Sequence, residues 1–323
     1  MTPEGHEQST SRSKRVRAWA PASLSNLGPG FDCLGVAIEP WGDSVEACFN
    51  DSGEIRISYH PNSAWHGTTE WINNTAGVAA KNVLALLDLS SGVDLTICKG
   101  AVPGSGIGSS AASAAAAAWA VNLLTGETLH KEDLVGAVLQ GEMVASGSMH
   151  GDNVLPSLFG GIVISSSSDP QVFRRIKSTE SPFLAVCLPA IKVLTKAARD
   201  RLPKEVSLED AVSNASSLAV MVAALFEGDW KTVGRQMMND RIVEPVRAEL
   251  FSAYADVRRS AIELGAFGCA LSGSGPAMFA VAESKAAAER ILEGMIAATG
   301  ASGIAATGSI TGIDITGARP FEE

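Results

Sequence analysis

The segment Pro103–Ala112, PGSGIGSSAA, holds the residues in this sequence best suited to chemistry. Gly104, Gly106 and Gly108 free the backbone to take left-handed angles and let a ligand approach the main chain closely. The apolar stretch before them reads as a strand and the Ala-rich stretch after them as a helix. A helix start leaves N–H groups without intrachain partners and carries partial positive charge. The loop from Pro103 is therefore a candidate anion cradle, with Ser109 and Ser110 placed to cap the helix or to offer hydroxyls to a phosphate or a metal. A tight strand-to-helix turn with a serine cap accounts for the same residues without any ligand. The Walker pattern needs a Lys after the last Gly and the dinucleotide fingerprint needs GxGxxG; neither is present.

Glu142 is the second candidate. Leu134, Val135, Val138 and Leu139 form an apolar stripe at helical spacing, and Glu142 continues it one turn beyond Val138. A carboxylate on a buried face is costly unless a cation or donor meets it, so Glu142 reads either as a metal ligand or as a solvent-facing residue where the stripe stops. The segment His150-Gly151-Asp152-Asn153 reads as a loop whose polar side chains suit a small polar substrate. Asn26 and Asp32 flank a turn over 27–31, a setting in which both residue types commonly bond their own backbone. Asn74 stands where a helix N-cap belongs. Trp65, Trp71 and Trp119 read as core or edge residues, and the Gly42–Asp43 turn needs no functional account.

The elements that must position these residues interleave. Strands are expected over 16–20, 34–38, 45–49, 55–58, 93–98, 161–165, 183–188, 277–282 and 310–316. Loops are expected over 21–32 and 146–153. Helices are expected over 75–87, 109–124, 131–145, 209–226, 230–238, 248–264 and 284–297. That alternation implies α/β or α+β layers. With 323 residues the chain divides best into two domains: a polar tail over 1–15, a first domain over 16–168 and a second over 169–323, the boundary falling in the turn-rich run 165–170.

Composition narrows the function. A hydrophobic share of 46% with 19% charged residues is a globular balance, and no uninterrupted apolar run reaches the length of a membrane span. The polar first 15 residues lack an apolar centre, so a cytoplasmic protein is expected. Five scattered cysteines without a CxxC pair suggest reduced, buried thiols. A net charge of −10 argues against a nucleic-acid partner. A phosphate handled by such a chain must be held by backbone N–H groups, a metal or a few placed cations.

Two further segments bear on the loop: Ala20–Gly35, APASLSNLGPGFDCLG, and Cys269–Ala277, CALSGSGPA, each with Gly, Ser and Pro beside a strand. In this order the three segments resemble the three motifs of the GHMP kinases, a family that covers galactokinases, homoserine kinases and mevalonate kinases. Asn26, Gly30, Phe31 and Asp32, together with Ser146–Gly161, SGSMHGDNVLPSLFGG, resemble the homoserine kinases within it. The resemblance runs from about Val16 to the end. It implies an α+β, two-domain GHMP kinase fold, with a left-handed βαβ unit in the N-terminal ATP-binding domain and a ferredoxin-like C-terminal domain. Residues alone would give the βαβ unit the opposite, default hand.

The resemblance also implies transfer of the ATP γ-phosphoryl group to the side-chain hydroxyl of L-homoserine, with Mg²⁺, toward threonine, and a candidate homodimer. Pro103, Gly104, Gly106, Gly108, Ser109, Ser110, Asn74 and Gly273 would face the nucleotide, and Ser110 with Glu142 would hold the metal. Asn26, Asp32, His150, Asp152 and Thr195 would hold the amino acid. Arg199 and Arg247 would meet its carboxylate, and Arg241 lies nearby without a clear role. Asn153 would lie by the transferred phosphoryl group, where several relatives have an Asp as base; an amide cannot take a proton, so catalysis would rest on positioning and charge. The rivals are a mevalonate-type GHMP kinase, which gains nothing from Asp32 and Asp152, a non-catalytic nucleotide or amino-acid sensor on the same fold, and a dinucleotide oxidoreductase, which the glycine spacing disfavours.

Overall fold

A computed structural model describes residues 14–176 and 181–321. Strands β1 (Arg15–Asn26) and β2 (Gly30–Asn50) form a long antiparallel hairpin. β3 (Ile55–Tyr59) leads into helix α1 (Thr75–Leu86) and returns as β4 (Gly92–Lys99), which pairs parallel with β3, a βαβ unit. Helices α2 (Ser109–Leu124), α3 (Lys131–Ser146) and α4 (Gly151–Phe159) follow, then β5 (Ile162–Ser165) and β6 (Phe173–Ile176). The first sheet runs β11-β1-β2-β4-β3, with β5 on the first half of β2 and β6 on β5; β11 (Arg319–Pro320) is the chain's end returning to it.

The second sheet contains β7 (Phe183–Pro189), β8 (Gly268–Leu271), β9 (Met278–Ala282) and β10 (Ala306–Thr311). Its order is β10-β7-β9-β8, antiparallel throughout. Counted within the sheet, that is 4-1-3-2, the ferredoxin-like order. Between β7 and β8 lie α5 (Thr195–Asp200), α6 (Leu208–Glu227), α7 (Trp230–Met237), α8 (Glu244–Ala248) and α9 (Tyr254–Glu263); α10 (Lys285–Ala301) joins β9 to β10.

α2 explains the alanine run. Ala111, Ala112, Ala114 to Ala118 and Ala120 have no exposed surface, and the helix packs on β1, β2, α1, α3 and α4. A helix apolar on every side belongs inside, and small side chains let five neighbours approach it. One core fills the space between the first sheet and these helices. A second lies between the two sheets: Leu24, Leu34, Ile107 and Ile162 from the first domain pack with Val186, Met221, Val233 and Phe279 from the second.

Several expected boundaries differ. The loop expected over 21–32 is strand as far as Asn26, because Ser23 and Ser25 sit on β1 rather than in a turn. The strands expected at 34–38 and 45–49 are two halves of β2. The loop over 146–153 gives way at Gly151 to α4, whose internal Pro156 hides the helix in the sequence. The helix expected over 248–264 begins only at Tyr254, as α9, because α8 already ends at Ala248, and the last long strand is 306–311 rather than 310–316. A boundary at 168/169 would separate β5 from its partner β6; sheet membership puts the crossing between Ile176 and Phe183.

Candidate active site

The three glycine-bearing segments meet at one place. Ser23 N–H donates to Ile107 O at 3.1 Å, Gly273 N–H to Ser25 O at 3.1 Å and Ala277 N–H to Ser105 O at 3.0 Å. Ser272 Oγ donates to Gly106 O at 2.6 Å. The glycines are required by this convergence. A Cβ on Gly108 (φ +63°) would come within 2.2 Å of Ser23 Oγ and 2.7 Å of Asn153 Oδ1, and one on Gly106 (φ +92°) within 2.8 Å of Ser272 O. Beside them opens a cavity of about 340 Å³, lined by every residue singled out for the site except Asn74. Asn74 is fully used elsewhere: Oδ1 accepts from the Ala76 and Gly77 amides as the α1 N-cap, and Nδ2 donates to Tyr59 Oη and Thr68 O.

At one end of the cavity lies the start of α2. Its N-cap is Gly108, which has no side chain to bond the first amides. Ser109 does not cap it either, since its hydroxyl donates to Ala101 O at 2.7 Å; only its amide remains for a phosphate. Ser110 Oγ points the other way and donates to Glu142 Oε1 at 3.0 Å. Glu142 is 8% exposed, and its Oε2 is buried without a hydrogen-bond partner. Burial pushes its carboxyl up to about 7, with the Ser110 hydrogen bond working in the opposite direction. An orphaned buried carboxylate oxygen beside a hydroxyl fits a hard cation. Among the described residues no three His, Cys, Asp or Glu side chains gather into a metal cluster, so a cation here would need further oxygens from a ligand.

A network not foreseen in the sequence lies beneath this end. Asp43 is completely buried. It accepts from Lys99 Nζ at 2.6 Å, Ser113 Oγ at 2.6 Å and the amides of Gly100 and Ala101 at 3.0 and 3.2 Å. Lys99 also donates to Ser109 O at 3.0 Å and Ser113 Oγ at 2.7 Å. The end of β4, the middle of β2 and the first turn of α2 are thereby fixed to one another.

The other end of the cavity is built from the β1–β2 turn, the start of α4, and helices α5 and α8. Asn26, Leu27 and Asp32 all have positive φ (72°, 49° and 58°), uncommon for residues other than glycine. Strain of this kind clusters at binding sites. The resemblance places Asp32 on the amino acid and Arg199 on its carboxylate. Here they face each other in a bidentate pair at 2.8 and 2.9 Å. Arg247, 4% exposed, donates to Gly273 O at 2.8 Å and keeps a buried Nε without partner; burial pulls its guanidinium down to about 10. Asn26 Nδ2 donates to the same Gly273 carbonyl, while a Cβ on Gly273 would lie 3.7 Å from Gly106 O, so Gly273 borders both this end and the glycine loop.

Phe31, whose role the sequence did not reveal, has both guanidiniums over its ring, Arg199 at 5.2 Å and Arg247 at 4.9 Å. His150, the α4 N-cap position, bonds Ser148 Oγ through Nε2 at 2.6 Å and faces Asp32 across 3.4 Å; burial lowers its pKa, so the ring is neutral near pH 7. Asp152 is buried, and desolvation, then the nearby Asp32 charge, raises its carboxyl to about 6. Asn153 is clamped, Oδ1 accepting from Ser23 at 2.9 Å and Nδ2 donating to Ser25 at 3.0 Å. Two serines two apart on a strand share a face, which is the signal that could have found them. Arg241 is a surface residue paired with Glu209 and Asp210 at 3.4 and 3.7 Å, contacts of small energetic consequence.

The site thus joins an amide-lined, metal-compatible end to an end with two arginines and two aspartates, with the clamped Asn153 amide beside Gly108. Residues 74–161 match the family "GHMP kinases N terminal domain" and residues 221–302 the family "GHMP kinases C terminal". A homoserine kinase of Pyrococcus abyssi is 40% identical over 270 residues, covering 84% of this chain and 88% of its own. One of Arabidopsis thaliana is 39% identical over 311 residues, covering 94% of this chain and 84% of its own. The crystal structure of homoserine kinase from Cytophaga hutchinsonii superposes with a TM-score of 0.91 at 33% identity, covering 98% of this chain and all of that one.

Proposed function

Since this chain belongs to the GHMP kinases, and within them to the homoserine kinases, we propose that it transfers the γ-phosphoryl group of ATP to the side-chain hydroxyl of L-homoserine, giving O-phospho-L-homoserine and ADP. The observation that carries the assignment of ends is Glu142, whose buried, unpartnered Oε2 lies beside the hydroxyl of Ser110 at the start of α2. The loop amides from Gly104 to Ser110, in the N-terminal domain, would receive the triphosphate, and Glu142 with Ser110 would hold Mg²⁺. When bound, that ion neutralises charge on the phosphate oxygens. Asn153, fixed by Ser23 and Ser25, would orient the acceptor hydroxyl toward the γ-phosphorus; its amide takes no proton. The β–γ bridging P–O bond breaks as the new O–P bond forms, the hydroxyl proton would pass to an oxygen of the transferred phosphoryl group, and a loose transition state leaves the chain mainly positioning and charge to supply.

Homoserine is a zwitterion, and the Asp32–Arg199 pair is its mirror image. The substrate would replace that pair with two of its own, ammonium to Asp32 and carboxylate to Arg199 and Arg247, with Thr195, Asp152 and neutral His150 alongside. Arg247→Leu is expected to raise the homoserine KM on the order of 30- to 100-fold and leave the ATP KM within about threefold; initial-rate kinetics with each substrate varied would show it, and equal effects on both would move Arg247 elsewhere. The direct test of the function is ADP release coupled to NADH oxidation with homoserine, mevalonate, threonine and serine as acceptors. Homoserine should dominate, and turnover with mevalonate instead would favour the mevalonate-type reading.

A homodimer is also part of this reading. α6 is long and apolar enough by composition to cross a membrane, but it packs Met221, Ala224 and Leu225 into the folded core. Its other face exposes Leu208, Val212, Val220 and Phe226. Large side chains at both ends with Ala215 and Ala219 between them suit an antiparallel copy of the same helix across a two-fold axis. Sedimentation of the purified chain should give twice the chain mass, and a monomer at micromolar concentration would count against it.

A further inference from the structure

The phosphate end of the cavity contains less positive charge than its ligand requires. Among the described residues lining the cavity, the candidate cations are Lys192, Lys196, Arg199, Arg247 and His150. Arg199 is engaged by Asp32, Arg247 lies against Gly273 and Phe31, and His150 is neutral. Lys99, close beneath the loop, is consumed by Asp43. Glu142 and Asp152 add carboxylates to the same cavity. A nucleotide tail, still negative with one Mg²⁺ bound, therefore needs a cation beyond the loop amides.

Lys192 lies where that cation is needed. Val193 N–H donates to Gly104 O at 3.2 Å, tying the segment after β7 to the first glycine of the loop. The Lys192 stem lies on Gly104 so closely that a Cβ there would come within 2.6 Å of its Cγ. Its ammonium rests 4.9 Å from the centroid of the Trp65 ring, an exposed ring on a segment anchored to β4 through the Ala64 N–H to Lys99 O bond. A cation–π contact at an exposed ring is weak, and a phosphate is the stronger partner for an ammonium. We propose that Lys192 is a phosphate-contacting residue of the nucleotide site, contributed by the C-terminal domain and resting on Trp65 until the triphosphate takes its ammonium. This rests on the placement of ATP at the Gly104–Ser110 loop. It also gives Trp65 a role, as an indicator of whether the site is filled.

Lys192→Met keeps the stem and removes the charge. With Mg·ATP and homoserine varied in turn, the ATP KM should rise about tenfold and the homoserine KM stay within about twofold. Lys192→Arg should restore most of the loss, and added KCl should raise the parent's ATP KM more steeply than that of Lys192→Met. Mg·ATP should also change tryptophan emission in the parent, and the change should vanish in both Trp65→Phe and Lys192→Met. An unaltered ATP KM in Lys192→Met, a rise in the homoserine KM instead, or the larger loss in Lys196→Met would overturn the proposal. Ser110→Ala separates the two levels. If it raises the ATP KM while Lys192→Met does not, Lys192 alone is misassigned; if neither does, the nucleotide lies elsewhere.

Discussion

Glu142→Gln should lower turnover by about a thousandfold or more, equivalent to roughly 4 kcal/mol of lost transition-state stabilisation, and should at the same time make the metal-free protein more stable. The two effects have one cause. The Glu142 carboxyl is buried and its folded-state pKa is raised from 4.5 to about 7. The folded chain therefore binds the proton more tightly than the unfolded one. The ionised form destabilises the fold, by nothing below the unfolded value and fully above about pH 7. At pH 8 in EDTA the neutral isostere should recover on the order of 1–3 kcal/mol, a rise of several degrees in melting temperature. The gap should close as pH falls through the window from 7 to 4.5. Excess Mg²⁺ should stabilise the parent and not the variant. A variant that keeps its turnover, or one that melts lower than the parent in EDTA at pH 8, would remove Glu142 from the metal role. With Glu142 as the proposed Mg²⁺ ligand, the ion would compete with a proton below pH 7, and its apparent affinity should fall in acid.

Lys99→Met should destabilise the protein by about 3–5 kcal/mol, because it leaves the Asp43 carboxylate buried without its cation. Asp43 has no exposed surface, so water cannot replace the ammonium. Its remaining donors, Ser113 Oγ and the Gly100 and Ala101 amides, are dipoles. The double variant Lys99→Met/Asp43→Asn should be less destabilised than Lys99→Met alone, since it removes the uncompensated charge while keeping acceptor geometry toward the amides. Urea unfolding of the parent, the single and the double variant measures this directly. A single variant within about 1 kcal/mol of the parent would mean that the pair contributes little beyond breaking even.

The glycine loop between β4 and α2 was legible because its signals are local. Glycines at every second position, a strand before and an alanine run after are all contiguous, and α2 begins at Ser109 and ends at Leu124 as its sequence indicates. The burial of Glu142 was legible through periodicity on one helix. The amino-acid end was read only by resemblance, because its contacts join distant parts of the chain. Asp32 pairs with Arg199 across 167 positions, and Ser23 and Ser25 grip Asn153 across about 130. The first motif misled for a related reason. Its Ser, Asn and Pro content suggests a loop, yet the alternation of Ser23 and Ser25 with Ala22 and Leu24 is strand periodicity, and composition outweighed it. Asp43 looked like a turn residue because nothing adjacent to it in sequence shows that Lys99 and Ser113 converge on it.

The shared apolar layer between the two sheets has a consequence for how acceptor choice can change in such a protein. Leu24 and Leu34 belong to the same buried cluster as Met221 and Phe279, and close-packed interiors resist exchange of one side for another. Grafting the rear half of a relative onto this front half would mismatch that seam before it altered the chemistry. A new alcohol is reached more readily by point changes on the short helices α5 and α8, where side chains border the open cavity and the seam stays intact.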